Sequence, residues 1–405
     1  MSDRPFTQGE SGRALGLSTF AFTICFSVWT IFSIIGLQIR TQYGLNDTQF
    51  GLLVGLPILT GSVVRIFLGV LTDRMGGRAV YTLTMLAAAA ATFLLSWAHT
   101  WPQLLIAAMG VGLAGGSFAV GVAYVSRFFA DKQQGSALGI FGVGNIGAAV
   151  TKFLAPFVML AFGWQATAQI WAVVLAATAV GFWFLSPDDP TTAARRVRSL
   201  PTRTLRDEFA PLKNVQVWRF SLYYFFAFGG FVALALWLPH YLIEVYGLDI
   251  RTAGMIGAAY SIPGSIFRAY GGVLSDRVGA RRVMYMCLGI SGLCCLLLAA
   301  PVAVPVALFI AVIFVLGFFM SFGKAAVYKH IPTYYPANVG AVGGLVGMIG
   351  GLSGFFLPLL FGWLRDATGL WSSCFAVLFV LAAGSLIWMQ LSIRRIERRA
   401  SLQAA

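Results

Sequence analysis

The chain has 405 residues, of which 59% are hydrophobic and only 10% are charged, and its net charge is +14. Apolar runs of about 20 residues recur along it, the length that crosses about 30 Å of hydrocarbon at 1.5 Å per residue. Almost nothing is left over for a soluble domain, so we predict an all-α polytopic membrane protein.

Apolar windows separated by polar breaks predict twelve transmembrane helices. Their predicted ranges are 15–37, 48–71, 79–98, 102–126, 135–160, 166–185, 217–242, 251–275, 282–300, 304–328, 338–362 and 370–391. With the N-terminus in the cytoplasm, 21 of the 28 Lys and Arg lie on the inner side, three on the outer side and four within spans. This positive-inside pattern predicts a multi-pass protein of the cytoplasmic (inner) membrane with both termini cytoplasmic.

The basic runs 194–209 and 394–399 indicate topology and contact with anionic lipid rather than a nucleic-acid partner. The five cysteines all lie within predicted spans and show no C-x-x-C spacing, so we expect neither disulfides nor a metal site, and no cofactor. His240, at the outer end of a predicted span, is expected to lie at the membrane interface.

Two segments 203 residues apart are similar: GSVVRIFLGVLTDRMGGR (Gly61–Arg78) and GSIFRAYGGVLSDRVGAR (Gly264–Arg281) share ten of 18 positions. This duplication predicts two halves of six helices each. The predicted boundaries are 1–185 for the first bundle, 186–216 for a basic linker, 217–391 for the second bundle and 392–405 for a cytoplasmic tail. Parallel repeats of six spans are typical of transporters whose site lies at the midplane between the halves.

Each repeat carries one arginine within a span, Arg65 and Arg268, eight residues before an Asp-Arg pair. Such a charge costs ~2.5–3.5 kcal/mol at a helix centre on insertion scales and is typically functional. All 14 Asp and Glu lie outside the predicted spans or at their ends. We therefore expect a cationic cavity whose guanidinium forks bind a planar oxyanion. The structural alternative is that each arginine bonds helix carbonyls or water and only holds helices together.

The loops GVLTDRMGGR and GGVLSDRVGARR are similar to the G-x-x-x-D-R-x-G-R-R loop of the major facilitator superfamily. The glycine-rich stretches GIFGVGNIGAAV (Gly139–Val150) and GGLVGMIGGLSGFFLP (Gly343–Pro358) resemble the paired nitrate signatures of the nitrate/nitrite porter family. That family also carries an arginine at the positions of Arg65 and Arg268. The resemblance implies the major facilitator fold, a working monomer and alternating-access transport of nitrate.

The same resemblance implies roles for individual residues. The implied substrate-binding residues are Arg65, Arg268, Asn145, Phe26, Phe118, Tyr224 and Phe228. The implied signature glycines are Gly142, Gly144, Gly147, Gly347, Gly350 and Gly351. The implied cytoplasmic latch residues are Asp73, Arg74, Arg78, Asp276, Arg277 and Arg281. The glycines also have a packing interpretation, because small residues let helices approach closely.

Three lysines depart from the nitrate/nitrite exchangers, which carry neutral polar residues there: Lys152, Lys324 and Lys329. They resemble the family's other branch, which is associated with proton-coupled uptake. A lysine near two arginines and away from water favours its neutral form, so it could take up a proton with the anion. Lys329 lies near a helix end, where snorkelling to the interface is the alternative.

We therefore expect a secondary transporter that imports nitrate by nitrate/proton symport. Its expected partners are nitrate, with nitrite as a further candidate, protons and the lipid bilayer. The alternative is a nitrate/nitrite antiporter, which needs no titrating group. An enzyme is not expected, because the sequence offers no nucleophile-base pair or metal cluster within the spans. A channel is disfavoured by the duplicated bundles and the charged loops.

Overall fold

A computed structural model describes residues 7–129, 131–188, 210–300, 304–335 and 339–404, without the side chains of 70, 73–74, 131–136, 332–333, 339–341, 396 and 399–404. Within these ranges the chain forms helices and no strand. The predicted all-α class is confirmed.

Six helices make up the first half of the chain. They are α1 (Gln8–Trp29 and Phe32–Tyr43), α2 (Asp47–Met75), α3 (Gly77–Leu95), α4 (Trp101–Val111 and Leu113–Ser126), α5 (Asp131–Gly142, the 3₁₀ turn Val143–Ile146 and residues 147–162) and α6 (residues 164–185). Between α5 and α6 the backbone leaves the helical region at Gly163, where φ is 83° and ψ is 168°. A left-handed φ of this kind favours glycine.

Contacts on either side of Gly163 indicate that the chain reverses there. Trp164, at the start of α6, donates its indole N–H to Gln42 at the end of α1. Phe182, at the end of α6, instead packs against Tyr81 and Tyr124 at the opposite end of the bundle. Residues 147–185 therefore form two membrane-crossing helices rather than one.

The second half follows a short 3₁₀ turn, Ala210–Lys213. Its helices are α7 (Val215–Tyr224, the π turn Phe225–Gly230 and Phe231–Tyr246), α8 (Ile250–Val278), α9 (Ala280–Ala299), α10 (Val306–Tyr334), α11 (Val339–Thr368) and α12 (Ser373–Ala404). Within the described residues, ten stretches are long and apolar enough to cross a membrane. One of them contains both α5 and α6, and α8 is not among them. The described chain thus has twelve long helices, as predicted.

The sequence repeat extends over the whole of α2 and α8. Both helices have 29 residues and both end at a glycine with positive φ, Gly76 at 93° and Gly279 at 89°. They also begin at matching caps, since Asn46 accepts from a backbone N–H of α2 and Asp249 from two of α8. Hydrogen bonds to Asp249, first of all from the Thr252 hydroxyl, lower the pKa of its carboxyl.

An even number of spans brings both ends of the chain to one face of the bundle, which we call the terminal face. The opposite face, with the α1–α2 and α7–α8 connections, is the distal face. The halves contact each other mainly through α2 against α11 and α5 against α8. The predicted domain boundaries stay predictions, although α6 ends at Leu185 and α7 begins at Val215.

Glycines on these four helices show how the halves are arranged. Near the distal face a Cβ at Gly51 would collide with the carbonyl of Pro358, so α2 and α11 are in backbone contact there. Toward the terminal face, four interface glycines have no described atom within 4 Å of the Cβ position: Gly69, Gly139, Gly272 and Gly344. The described parts of the two halves therefore meet at the distal face and separate toward the terminal face.

Four charged or titratable side chains, Arg40, Asp47, His240 and Glu244, join the halves at the distal face; we call them the distal ion cluster. The Asp47 carboxylate lies 2.7 Å from Nε2 of His240 and 3.1 Å from Arg40, which also contacts Glu244 at 2.9 Å. His240 is only 1% exposed. The interfacial location of His240 stays a prediction, and its ring is covered by the other half of the protein.

Candidate functional site

Arg65 lies at the middle of α2 and bonds to both halves of the protein. Its Nε donates to the carbonyl of Gly115 on α4 at 3.3 Å, and its Nη1 donates to the carbonyl of Gly347 on α11 at 3.4 Å. The guanidinium carbon is 5.4 Å from the ring centroids of Trp29 and Phe118, in cation–π contact. Arg65 therefore makes the hydrogen bonds to helix carbonyls that would hold helices together.

Arg268, the repeat-related arginine on α8, has a freer side chain. Its Nη1 is buried and has no hydrogen-bond partner among the described atoms. The guanidinium carbon is 5.8 Å from the ring centroid of Tyr328 and 3.8 Å from the point that a Cβ would occupy at Gly142. A glycine at position 142 therefore leaves the space beside this cation open.

The two arginines are close enough for their like charges to repel, and the ring of Tyr328 faces Arg268. Within the described part of the chain, no carboxylate forms an ion pair with either Arg65 or Arg268. Two like charges in a poorly hydrated site repel unless an anion lies between them. The two arginines therefore lack an internal counter-ion among the described residues.

Two of the predicted aromatic residues, Tyr224 and Phe228, stack on α7 with ring centroids 5.0 Å apart and an interplanar angle of 6°. Tyr224 also meets Tyr328 edge-on at 5.0 Å. The π turn Phe225–Gly230 carries Phe228, and its freed Phe225 carbonyl accepts from the hydroxyl of Ser353. Such π turns occur frequently at functional sites, and this one carries Phe228 in its stack with Tyr224.

The other two predicted aromatics lie in the first half. Phe118 contacts Arg65 directly, whereas Phe26 is 2% exposed and packs edge-on against Trp29. Phe26 therefore reaches Arg65 only through Trp29 in this conformation. The structure places Phe118 against Arg65 and places Tyr224 against Tyr328, which faces Arg268, whereas Phe26 and Phe228 have no described contact with either arginine.

Asn145 lies in the 3₁₀ turn Val143–Ile146 of α5, which contacts α8. It is 1% exposed, and neither its amide nitrogen nor its amide oxygen has a described partner. A buried side-chain amide without partners is costly, so its presence points to a ligand. The glycines on either side, Gly144 and Gly147, press against Phe22 and the Thr23 carbonyl of α1, which fits their packing interpretation.

The glycines of α11 make similar close contacts. A Cβ at Gly350 would collide with the ring of Tyr224, and one at Gly347 would lie 2.6 Å from the hydroxyl of Tyr328. A Cβ at Gly351 would lie 2.5 Å from Oγ of Ser62 and 3.5 Å from Nη1 of Arg65. The signature glycines thus allow the site residues to approach the helix backbone.

Lys152 and Lys324 are both fully buried and both bond to α8. Nζ of Lys152 donates to the Ser261 hydroxyl at 3.1 Å, across the contact between the halves. Nζ of Lys324 donates to the Gly264 carbonyl at 3.0 Å and lies 3.1 Å from the ring centroid of Phe231. Both ammonium groups thus bond to the helix that carries Arg268. Neither forms an ion pair with a described carboxylate.

Lys329 lies elsewhere, half exposed and in an ion pair with Asp276 at the end of α8. It therefore belongs geometrically with the predicted latch. Two further latch residues form ion pairs within their own half. Arg78, on α3, contacts Asp188, just after α6, at 3.2 Å, and Arg281, on α9, contacts Glu397, on α12, at 3.3 Å. Three latch residues make no such described contact: Arg277 is exposed, and the side chains of Asp73 and Arg74 lie outside the described residues.

A separate cavity of about 320 Å³ lies near the distal face and is lined by Arg40, His240 and Glu244 among others. It contains none of the predicted site residues. The arginine site and the distal ion cluster are therefore different regions.

Comparison with known proteins identifies the family. Residues 17–257 and 246–404 match the model of the Major Facilitator Superfamily. The chain is 43% identical over 413 residues to a Thermus thermophilus protein named "Probable nitrate/nitrite antiporter NarK1", covering 95% of this chain and 92% of that protein. The chain belongs to the nitrate/nitrite porter family of the major facilitator superfamily.

Two other relatives are less similar in sequence. The "Nitrite extrusion protein" of Bacillus subtilis is 30% identical over 93% of each chain. "Probable nitrate transporter NarT" of Staphylococcus haemolyticus is 30% identical over 94% of this chain and 96% of its own. The fold also matches a crystal structure of a bacterial homolog of the human lysosomal transporter Spinster, in an inward-facing and occupied conformation, with a TM-score of 0.72, 16% identity and coverage of 96% and 98%.

Sequence reasoning missed two residues at the porter site. Tyr328 contacts Arg268 and Tyr224, and Ser62 lies one turn before Arg65 against Gly351. Tyr328 is one of 13 tyrosines and lies in no recognisable motif, so the sequence carried no signal for it. Ser62 did carry one, because it is identical to Ser265 in the repeat.

Proposed function

We propose that this porter carries nitrate across the cytoplasmic membrane between its two six-helix halves, with Arg65 and Arg268 as the anion-binding pair. The main support is the pair of repeat-related arginines with no carboxylate partner within the described residues. Nitrate is planar, and guanidinium forks suit coplanar oxygens. The names of the relatives favour the same substrate class.

Other residues have supporting roles in this proposal. The amide of Asn145 donates to the anion, and the rings of Phe118, Tyr224 and Phe228 border it and exclude bulkier tetrahedral ions. Phe26 supports Trp29 behind Arg65. We place the terminal face in the cytoplasm, following the positive-inside distribution of Lys and Arg. The described conformation would then be open inward, with the porter working as a monomer.

Proton symport is the coupling that the buried lysines favour. Nζ of Lys152, from α5, and Nζ of Lys324, from α10, both bond to α8, the helix that carries Arg268, where arrival of an anion would stabilise an added positive charge. A proton taken up with nitrate would then leave with it on the inner side. Lys329 is the weaker candidate of the three because it is half exposed and already paired with Asp276.

Nitrate/nitrite exchange is the second candidate, and the name of the Thermus thermophilus relative favours it. Exchange needs no titrating group. Under this alternative, Lys152 would hold α5 against α8 through Ser261, and Lys324 would hold α10 against α8 through the Gly264 carbonyl.

Purified protein in proteoliposomes separates the two. Nitrate uptake is measured with and without an imposed inward proton gradient, and with nitrite either absent or loaded inside. Uphill uptake driven by the gradient alone would support symport. Uptake that requires internal nitrite would support exchange and overturn the symport proposal.

Replacing Lys324 with Gln tests the coupling residue. We expect Lys324→Gln to abolish proton-driven accumulation while nitrate exchange continues, because the anion site keeps both arginines. Lys213→Gln, at an exposed lysine in the 3₁₀ turn before α7, is the control, and it should retain accumulation. Intact accumulation in Lys324→Gln would remove Lys324 from the coupling mechanism.

A further inference from the structure

Ser62 has an unused hydroxyl inside the bundle. The residue is completely buried, and its Oγ has no hydrogen-bond partner among the described atoms. Serines and threonines in helices commonly donate to the carbonyl four residues earlier, as Thr72 does to Leu68 on the same helix. The Ser62 hydroxyl does not, so its donor is left for something else.

The repeat provides a direct comparison for Ser62. Ser265 on α8 lies three residues before Arg268, and Ser62 on α2 lies three residues before Arg65. Ser265 is also fully buried, yet its Oγ donates to the carbonyl of Ser261 at 2.9 Å. Two serines at equivalent positions thus differ in one respect. The hydroxyl in the first half is unpartnered, and the one in the second half is satisfied by its own helix.

The surroundings of Ser62 are those of the anion site. Its Oγ and Nη1 of Arg65 lie 2.5 Å and 3.5 Å from the same point, the Cβ position of Gly351. The backbone N–H groups of α11 there are used within the helix, and the Gly347 carbonyl already accepts from Arg65. Near Gly351, the Ser62 hydroxyl is therefore a hydrogen-bond donor for which the α11 backbone offers no substitute.

Resting on the proposed function, we propose that Ser62 donates its hydroxyl to a third oxygen of the bound anion and so distinguishes nitrate from nitrite. Nitrate has three oxygens and nitrite has two. The two guanidiniums, one from each half, engage two oxygens of either anion, and only nitrate has a further oxygen for Ser62.

The expected size of the effect follows from hydrogen-bond energetics. A hydrogen bond to a charged group contributes about 1.5–3 kcal/mol, which corresponds to roughly tenfold or more in affinity. Loss of the hydroxyl should therefore weaken nitrate binding about tenfold. It should leave nitrite binding nearly unchanged, because nitrite has no third oxygen to lose a partner.

The experiment measures nitrate and nitrite affinities of the detergent-purified full chain by isothermal titration calorimetry. The variants are Ser62→Ala and, as the matched control, Ser265→Ala. Thermal stability without ligand is recorded for each. Ser62→Ala removes an unpartnered buried hydroxyl and should fold at least as stably as the wild type, so a weaker affinity would not come from unfolding.

A roughly tenfold drop in the nitrate-to-nitrite affinity ratio in Ser62→Ala, with Ser265→Ala unchanged, is the expected result. An unchanged ratio in Ser62→Ala, or an equal change in both variants, would overturn the proposal. Wild-type protein that binds neither anion would instead remove the proposed function itself, and with it this inference.

Discussion

Arg65 and Arg268 come from the same sequence repeat but have different surroundings. Nε and Nη1 of Arg65 donate to the Gly115 and Gly347 carbonyls, and two aromatic rings lie against the guanidinium. Arg268 has a buried, unpartnered Nη1 beside Gly142. Duplication thus sets which residue lies at a position, while the neighbouring helices decide what that residue is free to bind.

The cause of this difference lies in the two contacts between the halves. At α2 and α11 the signature glycines of α11 bring helix carbonyls next to Arg65. At α5 and α8 the 3₁₀ turn Val143–Ile146 contacts α8, which is also bonded by Lys152 of α5 and Lys324 of α10. The repeated halves therefore provide one arginine held by backbone and one available to ligand.

The largest expected effect is on nitrate affinity when each arginine is replaced by Gln. We expect Arg268→Gln to lower affinity about 100-fold, because it removes an unpartnered buried donor from the anion. Arg65→Gln should lower it about tenfold, because the anion must first displace the Gly347 carbonyl. Calorimetric titration measures both, with Arg251→Gln near the distal end of α8 as the control. Equal losses in the two variants would show that the different surroundings have no energetic consequence.

An intermediate effect is expected when alanine replaces one signature glycine on each side. At Gly351 the new methyl group would collide with Oγ of Ser62, 2.5 Å away, and overpacking of this kind costs typically 1–3 kcal/mol. We expect Gly351→Ala to slow nitrate transport roughly tenfold. Gly142→Ala meets Arg268 only at 3.8 Å, an ordinary contact, and should retain transport within about twofold. Initial rates in proteoliposomes test this, and a slower Gly142→Ala variant would reverse the comparison.

The smallest effect on nitrate affinity is expected at Tyr328, whose ring faces Arg268. Tyr328→Phe removes a hydroxyl bonded to the Gly343 carbonyl but keeps the ring that faces Arg268. One such hydrogen bond contributes about 1 kcal/mol, so nitrate affinity should fall by about fivefold or less. Tyr223→Phe, a buried tyrosine on α7, should change nothing. A loss in Tyr328→Phe as large as that in Arg268→Gln would mean that the phenol itself binds the anion.

Much of the fold was predictable because its signals are periodic. Twelve apolar stretches give twelve helices, and the 203-residue spacing of Arg65 and Arg268 holds for the caps and ends of α2 and α8. Helix ends were less exact: α10 extends to Tyr334 and α12 to Ala404, beyond the predicted apolar windows. Helical hydrogen bonding continues into polar sequence at the terminal face, where hydropathy gives no signal.

The site was only partly predictable, for a different reason. A charged residue within an apolar span is conspicuous, so Arg65, Arg268, Lys152 and Lys324 could be found without a structure. Whether a hydroxyl is satisfied by its own helix depends on a rotamer and on neighbouring helices, so Ser62 and Ser265 look identical in sequence. Likewise, His240 became a buried partner of Asp47 only once the other half covered it.

The distal ion cluster has a consequence for kinetics. Its ion pairs join the halves without any cargo between them, and no described contact of that kind joins the halves at the terminal face. An empty carrier would then rest with its distal entrance shut, and reopening that entrance would be the slow step of each turnover. Turnover would increase if reopening of the distal entrance became faster, whichever ion accompanies the anion. The half-saturating anion concentrations measured from opposite sides of the membrane would differ.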